Sequence, residues 1–235
     1  MRVFAISDLH LSLAKPKTMD IFGARWKNHW NKISAAWRAT VKEEDAVLIA
    51  GDLSWAMHYE EALPDLQEIC RLPGTKVLIK GNHDFWHGSL NKTRALLTNR
   101  TFLLQNDCVS LGTCVVAGSR GWKQRSDADF AAQDEKLYLR ELERMRLSLN
   151  SAQKTGLPII GMTHYPPYDG QKVSSEVTRL FASYGVKLLI YGHIHGEAFA
   201  HMDYSDAEID GMRVCLTSCD YLGFAPRLLV EYPTD

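Results

Sequence analysis

Val77-Leu78-Ile79-Lys80-Gly81-Asn82-His83-Asp84 is an apolar run that stops at a glycine and then presents an amide, an imidazole and a carboxylate in consecutive positions. Such a run reads as a buried strand, and a glycine at its end lets the backbone turn sharply or approach a ligand closely. Four other runs end in a similar way. Val3-Phe4-Ala5-Ile6-Ser7 leads into Asp8-Leu9-His10, Val47-Leu48-Ile49-Ala50 into Gly51-Asp52, Ile159-Ile160-Gly161-Met162-Thr163 into His164, and Leu188-Leu189-Ile190-Tyr191 into Gly192-His193-Ile194-His195. Layered α/β packing would bring these ends to a common carboxyl edge, where such folds bind their ligands.

Between the strands the apolar period changes to that of helices. Trp26, Trp30, Ile33, Trp37 and Val41 predict a helix over Arg25 to Lys42, and Ala62, Leu66 and Ile69 predict one over Met57 to Leu72. Ser89 reads as the cap of a third helix, with Leu96 and Leu97 turned to the core. A long helix has Ala131, Tyr138, Leu142, Met145 and Leu149 as its stripe, offset by charges such as Glu141, Arg144 and Arg146, and a fifth is expected near Ser174 to Tyr184. Phe102 to Leu104, Cys108 to Leu111 and Cys114 to Ala117 read as a small antiparallel set. The tail is mostly β, with Arg213 to Thr217 and Leu228 to Tyr232 as its clearest strands. One α/β domain over residues 1–235 is the expectation.

The 235 residues are 46% apolar and 23% charged, ordinary for a globular chain, and the net charge of -1 does not indicate nucleic acid or a membrane surface. No apolar run approaches the ~20 residues needed to span a bilayer, and the N-terminus enters a strand directly, so the cytoplasm is the expected location. Five scattered cysteines fit reduced, packed thiols better than a disulfide framework; Cys215 and Cys219 lack the second pair that a metal site would need.

Asp8, His10, Asp52, Asn82, His83, Asp84, His164, His193 and His195 make up the polar inventory of the strand tips. In extended chain, side chains two apart share a side, so Asp8 with His10 and His193 with His195 would each aim two groups into one cavity. Imidazoles, carboxylates and one amide suit manganese, iron or zinc better than calcium, which takes oxygen alone. The inventory exceeds what one tetrahedral ion uses, so two ions are inferred, an arrangement that serves phosphate ester hydrolysis.

In identity, order and separation these motifs resemble the calcineurin-like metallophosphoesterase superfamily, over residues 8 to 195. The resemblance implies a four-layer α/β/β/α sandwich. It further implies that Asp8, His10 and His195 hold one ion, that Asp52 bridges, and that Asn82, His164 and His193 hold the other. His83 would be the catalytic imidazole facing the phosphate, and Asp84 the carboxylate that orients its ring. The implied reaction is hydrolysis of a phosphomonoester or phosphodiester, most simply of a small molecule, by metal-activated hydroxide. A silent metal-binding scaffold and a nuclease of the same fold are the alternatives.

Other residues are weaker candidates. Trp55, Trp86 and Trp122 fall just beyond strand tips, where they could wall a pocket, although packing explains each by itself. Arg120, in a glycine-flanked loop, could hold a phosphate oxygen; Arg120, Trp55 and Trp122 are therefore carried as substrate contacts. Lys15, Lys17 and Arg25 read as solvated charges, Tyr165 to Tyr168 as a stiff loop at the rim, and His29, His58, His87 and His201 as surface or packing residues.

Overall fold

Strict alternation along short strands divides the apolar side chains between two faces. A computed structural model describes residues 1–17, 19–170, 172–200 and 203–233; His201 lies outside them. The first sheet contains β1 (Arg2–Ile6), β2 (Ala46–Ile49), β3 (Thr75–Leu78), β4 (Thr101–Leu103) and β11 (Arg227–Glu231), in the order β11-β1-β2-β3-β4. The second contains β5 (Cys108–Ser110), β6 (Val115–Gly118), β7 (Ile159–Met162), β8 (Leu188–Tyr191), β9 (Ala207–Ile209) and β10 (Met212–Leu216), in the order β5-β6-β7-β8-β10-β9. All pairs among β1 to β4, and among β6, β7, β8 and β10, are parallel; β11, β5 and β9 add antiparallel edges.

Val3, Ala5, Ala46, Leu48, Val77, Val116, Ile160 and Ile190 point between the sheets into one core. Their neighbours Phe4, Ile6, Val47, Ile49 and Leu78 point the other way, against α1 (His29–Thr40) and α2 (Tyr59–Cys70), which bring Ile33, Trp37, Ala62, Leu66 and Ile69. Val115, Ala117, Leu189 and Tyr191 meet Tyr138, Leu142, Met145 and Leu149 of α4 (Ala132–Gln153) and Val177 and Phe181 of α5 (Glu176–Ser183). Three cores separate four layers, α/β/β/α. Each fully buried Val, Leu or Ile contributes roughly 1.5–3 kcal/mol.

The differences from expectation have local causes. The first helix begins at His29, because Asn28 takes a left-handed conformation (φ 54°) and Trp26 ends a separate 3-10 turn, Ala24–Trp26. The three short runs after α3 (Leu90–Leu96) are not one antiparallel set. β4 pairs in parallel with β3, whereas β5 and β6 form a hairpin in the other sheet, so the chain changes sheets near Asn106 (φ 62°). Glu141 is not an outward charge on α4: it is buried, accepts from Ser119 Oγ at 2.6 Å and pairs with Arg144 at 2.7 Å.

The sheets join where the site forms. Ser7, just past β1, bridges in parallel to Ser218, just past β10, through Ser7 N–H to Thr217 O (2.7 Å) and Cys219 N–H to Ser7 O (3.0 Å). That seam holds the carboxyl ends of both sheets together.

Candidate metal centre

The backbone at the strand tips is bent rather than extended. Asp8, His10, Asp52 and His193 all have positive φ (60°, 46°, 54° and 75°), a conformation that costs on the order of 1–3 kcal/mol per non-glycine residue and clusters at functional sites. Side chains two apart converge here through left-handed turns, not through the period of a strand. The loops after β1 and β2 are laced together by Asp8 N–H to Gly51 O (2.9 Å), His10 N–H to Asp52 O (3.0 Å) and Leu11 N–H to Leu53 O (3.0 Å).

Asp84 secures the same loop. Its carboxylate accepts from the N–H groups of Asp52 (3.0 Å), Leu53 (2.9 Å), Ser54 (3.2 Å) and Gly81 (2.8 Å), and from Trp86 Nε1 (3.0 Å). Among the described residues it makes no hydrogen bond to the His83 ring, so the expected role as orienter of that imidazole is corrected: Asp84 is a clamp on the backbone that carries Asp52. Gly81 permits the close approach, since a Cβ there would lie 2.0 Å from Asp52 Oδ1. Gly192 does the same for Asp8, whose Oδ2 would lie 2.5 Å from an added Cβ.

Two groups of ligand atoms result, each within 4.8 Å of one another: Asp8, His10 and His195, and Asp8, Asp52 and His164. In the first, His195 Nε2 lies 3.2 Å from both Asp8 Oδ1 and His10 Nε2. Asn82 joins the second, its Oδ1 2.6 Å from His164 Nε2 and 2.9 Å from His193 Nδ1. Asp8 Oδ2 accepts from the hydroxyls of Ser7 (2.6 Å) and Ser218 (2.8 Å), and His193 N–H lies 3.1 Å from both carboxylate oxygens, so Oδ1, which accepts from neither hydroxyl, is the oxygen that faces the site. The seven expected ligands thus meet at one place.

These residues fit metal ions. Two imidazole nitrogens facing each other at 3.2 Å must share a proton or point at a common cation, and His10 Nδ1 is buried without a partner. Burial, with the neighbouring charges of Asp84 and Asp8, pushes the Asp52 carboxyl up to about 7 against the pull of His164. Burial and then His164 lower His193 to about 3, and burial and His195 hold His10 well below the usual imidazole range. His195 goes the other way: burial is outweighed by Asp8 and Asp220, which raise it to about 10. A cation among these groups would offset the buried carboxylate charge, and neutral imidazoles are the form that binds metal.

A model of calcineurin-like phosphoesterases matches residues 1–197. The chain belongs to that family. A UDP-2,3-diacylglucosamine hydrolase of Ralstonia nicotianae is 27% identical over 248 residues, which cover 96% of this chain and 86% of the relative. An uncharacterised metallophosphoesterase of Helicobacter pylori is 27% identical over 161 residues, 67% of this chain and 38% of the relative. Among solved structures, the phosphopantetheinyl hydrolase of Mycobacterium tuberculosis superposes with a TM-score of 0.59 at 14% identity, covering 99% of this chain and 96% of the other. A protein of unknown function from Aquifex aeolicus gives 0.50 at 15%, with coverage of 97% and 95%. Those two likenesses are of fold. As a calcineurin-like phosphoesterase, the protein is a metal-dependent hydrolase of ester bonds.

One residue of the phosphoesterase's centre escaped the sequence reading. Asp220 is fully buried beyond β10, with Oδ1 3.1 Å from His195 Nδ1 and Oδ2 accepting from Gly196 N–H at 2.9 Å. It orients the His195 ring, the role a carboxylate commonly takes behind a metal-binding histidine. Its signal was present: Val214-Cys215-Leu216 is a sixth apolar run ending in polar residues, Thr217-Ser218-Cys219-Asp220. Asp220→Asn is expected to weaken metal binding by about 10- to 100-fold with little change in melting temperature. Metal titration of the variant reads this, and unchanged affinity would contradict the role.

The candidate substrate contacts of the phosphoesterase separate. Trp55 stacks on His10 (centroids 4.6 Å apart, 20° between planes) and lies 4.4 Å from His83, with Lys17 Nζ 3.6 Å from its ring, so Trp55 walls the centre. Trp26 does so too, 5.6 Å from His195 and 6.3 Å from His10. Trp122 instead donates to Asp134 at 3.0 Å and packs 5.4 Å from Tyr165. The Arg120 guanidinium turns to Glu141 (3.6 Å) and the Trp122 ring (4.7 Å); its carbonyl serves the centre by accepting from His164 N–H (2.9 Å) and Tyr165 N–H (3.0 Å). His29 holds Leu9 O at 3.0 Å, and His87 stacks on Trp86 at 5.0 Å.

Proposed function

We propose that this phosphoesterase is dinuclear and hydrolyses a phosphomonoester or phosphodiester of a small molecule. The observation that carries the reading is the position of Asp52. Its Oδ2 lies 3.7 Å from His10 Nε2 and 3.5 Å from His164 Nε2, so one carboxylate oxygen reaches both ligand groups. Asp8, His10 and His195 would hold one ion and Asn82, His164 and His193 the other, with Asp52 shared; manganese, iron and zinc suit these donors. When bound, such a pair lowers the pKa of water toward neutrality and offsets phosphoryl charge.

The chain's own side chains do the rest. Ser7, Ser218 and the His193 N–H fix the Asp8 carboxylate, and the stacked Trp55 excludes water beside His10. His83 is anchored by its N–H to Asp52 Oδ1 at 2.9 Å, while its half-buried ring rests against Trp55 without a hydrogen-bond partner among the described residues. Burial and then His164 lower its pKa; an anionic phosphoryl group alongside raises it, and the ring then gives a proton to the leaving oxygen.

Clefts beside the centre are of small-molecule size. One of about 330 Å³ is lined by His193, Tyr165, Tyr168 and Lys123, another of about 370 Å³ by Trp55, Lys17, Lys15 and His58. The name of the Ralstonia relative gives it a nucleotide sugar as substrate, which supports the small-molecule class here. A single domain over residues 1–235 and a cytoplasmic location belong to the same proposal, and the five free cysteine thiols support the latter; no helix among the described residues is long and apolar enough to cross a membrane. EDTA is expected to abolish hydrolysis of p-nitrophenyl phosphate and bis-p-nitrophenyl phosphate, and Mn²⁺ to restore it. An undiminished rate in the chelated protein would overturn the reading.

A further inference from the structure

Lys80 precedes the Gly81-Asn82-His83-Asp84 turn but takes no part in the metal centre. It opens instead into a separate cavity of about 190 Å³ at the carboxyl ends of β3, β4 and β6, lined also by Arg120, Arg140, Arg144, Ser119 and Gln105. Four cations therefore face one small space. The acidic groups around it are few: buried Glu141, taken by Ser119 Oγ (2.6 Å), Arg144 (2.7 Å) and Arg120 (3.6 Å), and Asp84, whose carboxylate is taken by the backbone clamp. Arg140 and Arg144 are like charges at i and i+4 on α4, an arrangement that destabilises a helix unless something neutralises it.

Some of the donors in this cavity are left over. Arg120 Nε is buried with no hydrogen-bond partner, although its guanidinium is otherwise held by Glu141 and the Trp122 ring. Lys80 is half-buried and Arg140 exposed, and neither makes a hydrogen bond or ion pair among the described residues.

We infer that this cavity is a second anion site, built for one phosphate-class oxyanion and separate from the metal centre. Guanidinium forks and an ammonium are the groups that recognise such anions. The volume lies below the roughly 300 Å³ at which pockets for drug-sized ligands begin, which favours a phosphoryl-sized group over a whole nucleotide. The site communicates with the centre through two short links: Lys80 is two residues from Asn82, and the Arg120 carbonyl holds the N–H groups of His164 and Tyr165. The anion is either free or the second phosphoryl group of a larger ligand.

Calorimetric titration of the metal-loaded protein with inorganic phosphate, repeated after EDTA treatment, tests this without relying on turnover. The wild type is expected to keep saturable phosphate binding after chelation, and Lys80→Met/Arg140→Glu to lose it by tenfold or more in affinity. Arg140→Glu alone changes an exposed side chain and guards against a folding defect; it is expected to weaken binding while the melting temperature stays constant. Equal affinity in the wild type and the variants, or binding that vanishes entirely with the metals, would overturn the site. A sugar bisphosphate then separates the two sources. Tighter binding than a sugar monophosphate in wild type alone identifies a second phosphoryl group of one ligand, and equal binding identifies a free anion.

Discussion

Asp52→Ala is expected to lose both metal and turnover, with kcat/KM on p-nitrophenyl phosphate falling by about 10³-fold or more, roughly 4 kcal/mol of transition-state stabilisation. The size of the effect follows from position. Asp52 Oδ2 is within 3.7 Å of His10 Nε2 and 3.5 Å of His164 Nε2, so its removal opens both ligand groups at once. Loss of His10 or His193 would open only one. The metal-free fold should tolerate the change well in the Asp52→Asn form. Burial makes the Asp52 charge costly, and an amide oxygen can still accept from His83 N–H. Metal analysis, steady-state rates and melting of the chelated protein read the three effects. Full activity in Asp52→Ala would remove the basis of the mechanism.

His83→Ala is expected to separate chemistry from metal binding. Metal content should stay at the wild-type level, because no ring atom of His83 lies in either ligand group, while kcat falls by about 10²- to 10⁴-fold, the usual range for losing a general acid. The loss should depend on the leaving group. A p-nitrophenolate departs without much protonation, so the deficit on p-nitrophenyl phosphate should be smaller than on an alkyl phosphate, whose oxygen needs the proton. An equal deficit on both esters would instead assign His83 to phosphate binding. Loss of metal in this variant would mean that the ring supports the centre itself.

The strand tips were legible because the signal there is local. An apolar run, a turn and a ligand-type side chain lie within a few residues, and strand alternation sorts the rest into three cores. Long-range relations were not legible. Asp220 is one acid in a β-rich tail, and only the seam between Ser7 and Ser218 brings it to His195. Asp84 sits beside His83 in sequence, yet its oxygens face the Asp52–Ser54 backbone, because three N–H groups there and that of Gly81 point at one spot. Glu141 reads as a surface charge on a helical wheel but is buried by Ser119, Arg120 and Arg144 from two elements. The left-handed turns at Asp8, His10, Asp52 and His193 leave no mark in composition, since such strain is sustained by the loops laced around it.

Counting ions per chain decides whether the strand-tip residues form one centre holding two metal ions. Protein dialysed against manganese and then against metal-free buffer is expected to retain about two ions per chain by plasma mass spectrometry, falling to one or none in His164→Ala. Retention of a single ion that His164→Ala leaves in place would mean that the centre is not dinuclear.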